Sequence, residues 1–142
     1  MSDIIRNMTE ITRCGSQYRA EQLAPLGLKA CHASYLTEIC DDPGISQDQL
    51  AQRICINKSN VARQVAALEE DGFIRRCPCT VDKRVMRLYP TEKTIALMPQ
   101  IASILDDWDR CLTAELTACE REYLSHMLQR MKEKAAERME ET

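Results

Sequence analysis

A chain of 142 residues with 44% hydrophobic but only 4% aromatic side chains can bury one core, and its Leu, Ile, Ala and Met favour helices over a sandwich or barrel. The formal net charge of −3 is uneven: residues 46–90 hold eight basic against five acidic side chains, a balance of +3 that leaves −6 elsewhere, and that asymmetry points to a polyanion meeting the middle of the chain. The opening "MSDIIRNMTEITR" interrupts every apolar pair with a polar group, so neither a secretory leader nor a membrane span is expected and the chain reads as cytoplasmic.

The first helix is expected over Asp3 to Leu23, with Ile4, Ile5, Met8, Ile11 and Tyr18 on its apolar side, until Pro25 and Gly27 break it. A second helix over Lys29 to Cys40 places Cys31, Tyr35, Leu36 and Ile39 on one stripe, and "DDPG" stops it. "ISQDQLAQRI" then has every mark of a helix start. Ser46 and Gln49 form a capping box, and Ile45 with Leu50 forms the hydrophobic staple. That short helix ends near Ile54, and Asn57 caps the next, which runs to Asp71 and stops at Gly72.

In this fourth helix Val61, Val65 and Leu68 make a buried stripe. Ser59, Asn60, Arg63 and Ala67 take the opposite side, with Lys58 and Gln64 at its margins. The acids Glu69, Glu70 and Asp71 are held back to the last turn, which is unfavourable for the helix dipole, so something other than helix stability places them there. "FIRRCPC" and "VMRLYP" read as two short strands around the tip "TVDKR". A helix–turn–helix followed by a basic two-stranded ribbon is a winged helix.

Thr91 is expected to cap a long helix with a seam of Ile95, Met98, Ile101, Ile104, Leu105, Trp108 and Leu112, in which Pro99 should introduce a kink. A final helix over Thr117 to Glu137 carries Tyr123, Leu124, Met127, Leu128, Met131 and Ala135. Helices this apolar need a partner, and a second copy of the chain in a two-fold dimer supplies it. The fold class is therefore mainly α with a small β-wing: one domain over 1–142, with a winged helix-turn-helix at 28–91 flanked by dimerisation helices at 1–24 and 95–142.

The eight cysteines, Cys14, Cys31, Cys40, Cys55, Cys77, Cys79, Cys111 and Cys119, contain no CxxC pair. Most are expected to be buried and free, with the six on helical segments serving core or interface packing. Cys77 and Cys79 lie among arginines, which favour a reactive thiolate, although they also read as incidental strand residues. A lone C-x-C pair is a poor zinc site, so no metal or other cofactor is expected. No catalytic fingerprint is present, which gives no support to an enzyme.

The stretches "LGLKACHASYL", "PGISQDQLAQRICINKSNVARQVAALEEDGFIRR" and "VDKRVMRLYPTEK" resemble the MarR (multiple-antibiotic-resistance regulator) family of bacterial winged-helix transcription factors over roughly residues 23–99. The wing is the most specific part, with Asp82-Lys83-Arg84 matching the family's acidic–x–Arg signature. The chain departs at Pro90, Thr94 and His32, and in its Cys-Pro-Cys run. The resemblance implies a homodimeric regulator of a double-stranded DNA operator, most often a repressor, released by a small-molecule effector. It puts Ser59, Asn60, Arg63 and Gln64 in the major groove and Arg84 in the minor groove, oriented by Asp82. Asn and Gln suit bidentate pairing with adenine and Arg with guanine, while Lys58, Lys83, Arg75 and Arg76 suit phosphates. Arg75 and Arg76 could instead be strand-edge charges that block aggregation.

The family's effector pocket lies near the second helix, where Tyr18, Arg19, His32 and Tyr35 could line it. Two other readings stay open: a thiol-redox or metal sensor on the same fold, and a dimeric interaction module that does not bind DNA.

Overall fold

The computed structural model describes residues 1–141, which group into two compact units, one up to Leu105 and one from Asp106 onward. In the first unit, α1 (Asp3–Leu23) begins where the Ser2 hydroxyl accepts from the Ile5 N–H (3.3 Å). Only Gly15 and Leu23 of α1 are buried, so the stripe of Ile4, Ile5, Met8 and Ile11 faces outward in the single chain.

A 3-10 turn at Ala24–Leu26 closes on Gly27, and α2 (His32–Asp41) follows. This helix starts three residues later than its sequence pattern suggests. The Leu28 N–H returns to the Leu23 carbonyl (3.2 Å), and the Lys29 N–H is taken by the His32 ring rather than by a helical carbonyl. The turn of α3 (Gln47–Ile54) forms as expected: Ser46 and Gln49 make the reciprocal capping box (3.0 and 3.1 Å), and Ile45 and Leu50 are buried. Cys55 ends it in the left-handed region (φ 56°), and Asn57 caps α4 (Lys58–Glu70) by accepting from the Asn60 N–H (2.8 Å).

The wing pairs β1 (Ile74–Pro78) with β2 (Met86–Pro90) antiparallel, Arg76 opposite Leu88. Sequence reasoning missed its third edge. Residues 44–46 lie along β2, with Gly44 N–H donating to the Leu88 carbonyl (2.8 Å) and Leu88 N–H to the Ile45 carbonyl (2.9 Å). Gly44 suits that position because its φ of +92° is one that residues with a Cβ rarely adopt.

Tyr35, Leu36, Ile39, Leu50, Val61, Val65, Leu68, Phe73, Ile74, Leu88 and Ile101 fill one core, each contributing about 1.5–3 kcal/mol by burial. α5 (Glu92–Thr113) is fastened to this core by threonines. The Thr94 hydroxyl donates to the Phe73 carbonyl (2.6 Å) and that of Thr91 to the Gly72 carbonyl (2.7 Å). Thr91 thus stands at the helix start, but its hydroxyl reaches back to the α4–β1 turn. Pro99 lies inside α5 without ending it.

The second unit holds the last turns of α5 and α6 (Ala118–Glu140), which opens on a capping box between Thr117 and Glu120. Tyr123, Leu124, Met127, Leu128 and Met131 are exposed.

The expected burial of the cysteines does not hold in this chain: Cys14, Cys31, Cys55, Cys111 and Cys119 are exposed, and Cys40, Cys77 and Cys79 are half-buried. Branched and aromatic side chains fill the core instead, and Cys31 points away from it while its neighbours His32 and Ala33 point in.

Candidate nucleic-acid interface

The outer face of α4 carries Lys58, Ser59, Asn60 and Arg63, with no acid in its first turn, so the positive end of the helix dipole is left unopposed. Arg63 Nη2 donates to Asn60 Oδ1 at 3.5 Å, a loose contact that a nucleic acid could displace. Lys58 stands 3.5 Å from Asp48, both about three-quarters exposed. Such a pair contributes little to stability, so Lys58 is free to turn to a phosphate.

At the wing tip the Asp82 carboxylate grips Arg84 through Nε (3.1 Å), Nη2 (3.2 Å) and the backbone N–H (3.0 Å). The Arg84 side chain is nevertheless 91% exposed, and its hydrogen bonds hold the Asp82 carboxyl below the ordinary range. The result is a cation whose direction is set and whose surface is open. Lys83 is exposed beside it.

The two strand arginines part company. Arg75 is exposed and lies over the Tyr89 ring, 5.7 Å from its centroid. Arg76 is committed inward: Glu69 accepts from its backbone N–H (2.8 Å), its Nε (3.0 Å) and its Nη2 (2.9 Å). A guanidinium already neutralised in this way is a poor phosphate ligand, which corrects the expectation for Arg76. The same contacts explain an acid in the last turn of α4, because Glu69 is there to hold β1.

Gln64, expected at the margin of the exposed face, is half-buried there. Its Oε1 lies 2.9 Å from Nε2 of His32, which is buried and accepts the Lys29 N–H on Nδ1 (3.0 Å). Burial pushes the His32 pKa down, the Gln64 hydrogen bond opposes that, nearby Lys29 adds to it and Asp71 offsets it slightly. Protonation would set an N–H against an N–H at Nδ1. Neutral His32 therefore contributes stability that is complete above about pH 6.5 and declines as the pH falls towards its lower folded value. The urea midpoint is expected to fall between about pH 7 and pH 5.5, and to fall less in His32→Gln; equal slopes would show that His32 does not titrate on unfolding.

Of the four residues expected around an effector pocket, Arg19 alone lines the groove of about 330 Å³ beside α2, with Ser34, Thr37, Glu38 and Leu105 among its neighbours. Tyr18 packs against the core from its edge. His32 and Tyr35 point into the core, and the fully buried Tyr35 hydroxyl has no hydrogen-bond partner among the described residues.

A second groove of about 410 Å³ lies against the wing, walled by Cys77, Cys79, Arg75, Arg87 and Tyr89. Hydrogen bonds from the Asp82 and Val81 backbone and from Arg87 pull the Cys79 thiol below its ordinary pKa. Sequence reasoning counted Arg87 only as charge; it also ties β2 to the Gly44 carbonyl (2.9 Å). Among the described residues, no group of three or more His, Cys, Asp or Glu could hold a metal ion, and no helix is long and apolar enough to cross a membrane.

Known proteins resemble this chain in sequence and fold. The MarR family model matches residues 30–86. The chain is 30% identical over 132 residues to YybA, an uncharacterised HTH-type transcriptional regulator of Bacillus subtilis, covering 93% of this chain and 88% of that protein. The crystal structure of the transcriptional regulator SlyA superposes with a TM-score of 0.94 at 29% identity over 98% of both chains. A MarR-family regulator from Listeria monocytogenes complexed with a 26mer DNA superposes at 0.92, with 28% identity over 96% of this chain and 91% of that one. Matched in sequence along nearly its whole length and in fold through helix, turn and wing, the chain belongs to the MarR family.

Proposed function

We propose that this protein is a sequence-specific DNA-binding transcriptional repressor of the cytoplasm, working as a homodimer on a pseudo-palindromic operator and released by a small-molecule effector. The observation that carries the reading is the exposed, Asp82-oriented Arg84 on the same unit as the cationic face of α4. An arginine at a loop tip suits a narrow minor groove, whose negative potential attracts it, while Ser59, Asn60 and Arg63 suit base edges in the adjacent major groove. The Listeria relative solved with DNA supports the same reading. Residues 1–24 and 95–142 supply the dimer contacts in this account, so that two recognition helices meet one duplex face about 34 Å apart. Arg19 and its groove mark the side from which an effector would act, by favouring a state with a different spacing.

The test is a gel shift with duplexes enriched from a randomised pool and with the DNA upstream of the protein's own gene. Binding in dilute salt at micromolar protein or below is expected, and its absence from both would defeat the reading, since even non-specific DNA binding falls near that range. Arg63→Ala is expected to relax discrimination at one half-site position by about 1–3 kcal/mol per contact. The measurement is the spread of affinities across duplexes varied at that position; an unaltered spread removes Arg63 as a reader.

A second reading, a thiol-responsive regulator, is favoured by the groove that joins Cys77 and Cys79 to Arg75 and Arg87. A thiolate-prone cysteine reacts faster with oxidants than an ordinary one. Hydrogen peroxide is then expected to weaken operator binding, dithiothreitol to restore it, and Cys79→Ser to abolish the response. Binding indifferent to peroxide, dithiothreitol and zinc leaves the effector reading alone.

A further inference from the structure

The turn that closes α4 is held by the first turn of α5. Its own amides satisfy the helix: the Asp71, Gly72 and Phe73 N–H groups return to the carbonyls of Ala67, Glu69 and Leu68 (3.0, 3.0 and 2.9 Å). The carbonyl oxygens of the same three residues must then be met from elsewhere, and α5 meets each of them. Lys93 Nζ donates to the Asp71 carbonyl (2.9 Å), the Thr91 hydroxyl to that of Gly72 (2.7 Å) and the Thr94 hydroxyl to that of Phe73 (2.6 Å). The Thr91 backbone N–H also donates to the Phe73 carbonyl (3.2 Å).

These contacts have direction and are costly to break. Thr94 and Phe73 are both buried, so parting the hydroxyl from its carbonyl would strand a polar group away from water. The Lys93 ammonium stands at the negative end of the α4 dipole, 4.1 Å from the centroid of the Phe73 ring. Further along α5, Ile101 and Ile104 enter the same core. Apolar burial resists separation without fixing a direction, so those two side chains alone would serve as a pivot. The polar clasp lies about 10 Å before Ile101, at 1.5 Å per residue. It converts the pivot into a fixed angle between α4 and α5.

Resting on the proposed function, in which α4 reads the groove and α5 contributes to the dimer contacts, we propose that Thr91, Lys93 and Thr94 are positioning residues that set which half-site spacing the dimer accepts. They act through α4 and touch no base themselves. One added base pair between half-sites moves the second site by about 3.4 Å along the duplex and turns it by about 35° around it. A reading helix able to swing on α5 would follow that displacement. A clasped one forces the duplex to deform instead.

The full-length parent is first used to enrich an operator from a randomised pool. Affinities are then measured for duplexes that keep its half-sites and gain or lose one base pair between them. The parent is expected to lose about fivefold or more for either change, the lower end of the cost of deforming a duplex site. Thr91→Val with Thr94→Val keeps the side-chain shapes and removes both hydroxyls; its loss is expected to shrink to about twofold or less. Thr91→Ser with Thr94→Ser keeps the hydroxyls and should restore the parent's dependence. Lys93→Met, an exposed change that leaves the core alone, should soften the dependence in the same direction and so tests the clasp even where the valine pair does not fold. Base preferences within each half-site should be the same in every variant. A general loss of folded protein lowers all affinities alike and leaves their ratio unmoved. A parent indifferent to spacing, or a ratio unchanged in Lys93→Met and in the valine pair, would overturn the assignment while leaving DNA binding intact. A pool that yields no enriched duplex would overturn the proposed function and this assignment with it.

Discussion

Arg84→Ala is expected to weaken operator binding by roughly tenfold or more for each subunit's contact, taking about 1–3 kcal/mol per arginine, and both subunits of a dimer lose it together. If each arginine also neutralises a phosphate, the slope of log affinity against log salt should fall by about 0.9 per subunit. The side chain is 91% exposed and, among the described residues, is joined only to Asp82, so its removal takes nothing from the core, and the unfolding free energy from urea titration should stay within about 0.5 kcal/mol of the parent. Arg76→Ala is the natural control. Glu69 already neutralises that guanidinium, so the salt slope should hold steady while stability drops. A normal affinity in Arg84→Ala would take the wing out of the account.

The second large effect concerns association. Leu124 and Leu128 on α6 are 39% and 40% exposed, within a run that includes Met127 and Met131. In a two-fold dimer the same patch meets its own copy, so a charge introduced there faces an identical charge. Leu124→Glu with Leu128→Glu is expected to halve the molecular mass seen by light scattering. Operator affinity should fall by about a hundredfold or more, because two linked half-site contacts become one. Neither leucine is buried in the single chain, so helix content by circular dichroism should persist. A double variant that remains a dimer would place the interface elsewhere.

Local signals proved legible in the sequence and distant partners did not. The Ser46–Gln49 box, the Asn57 cap and the Val61, Val65 and Leu68 stripe are all short-range patterns, and each forms as its spacing requires. The contact between Asp82 and Arg84 is one that the family resemblance implies, and the two are joined in the structure. His32 and Gln64, Glu69 and Arg76, and Arg87 and Gly44 are joined only by the fold. Residue type therefore suggested a phosphate contact for Arg76 and a base contact for Gln64. The cysteines were misplaced because burial tendency is a statistical average, while the positions of Cys31 and Cys55 follow from which helix face or cap each occupies. The third edge of the wing went unseen because residues 44–46 make a bridge too brief to leave a strand pattern.

The Glu69–Arg76 clamp has a mechanical consequence. It welds the end of α4 to β1 through three hydrogen bonds, and Thr91 and Thr94 pin the same corner to the next helix. In the function proposed above, α4 and the wing would then travel as a single rigid tool. Control of such a tool comes from where it is carried, so a signal that leaves its internal shape untouched can still disarm it by carrying it out of step with the pitch of the double helix.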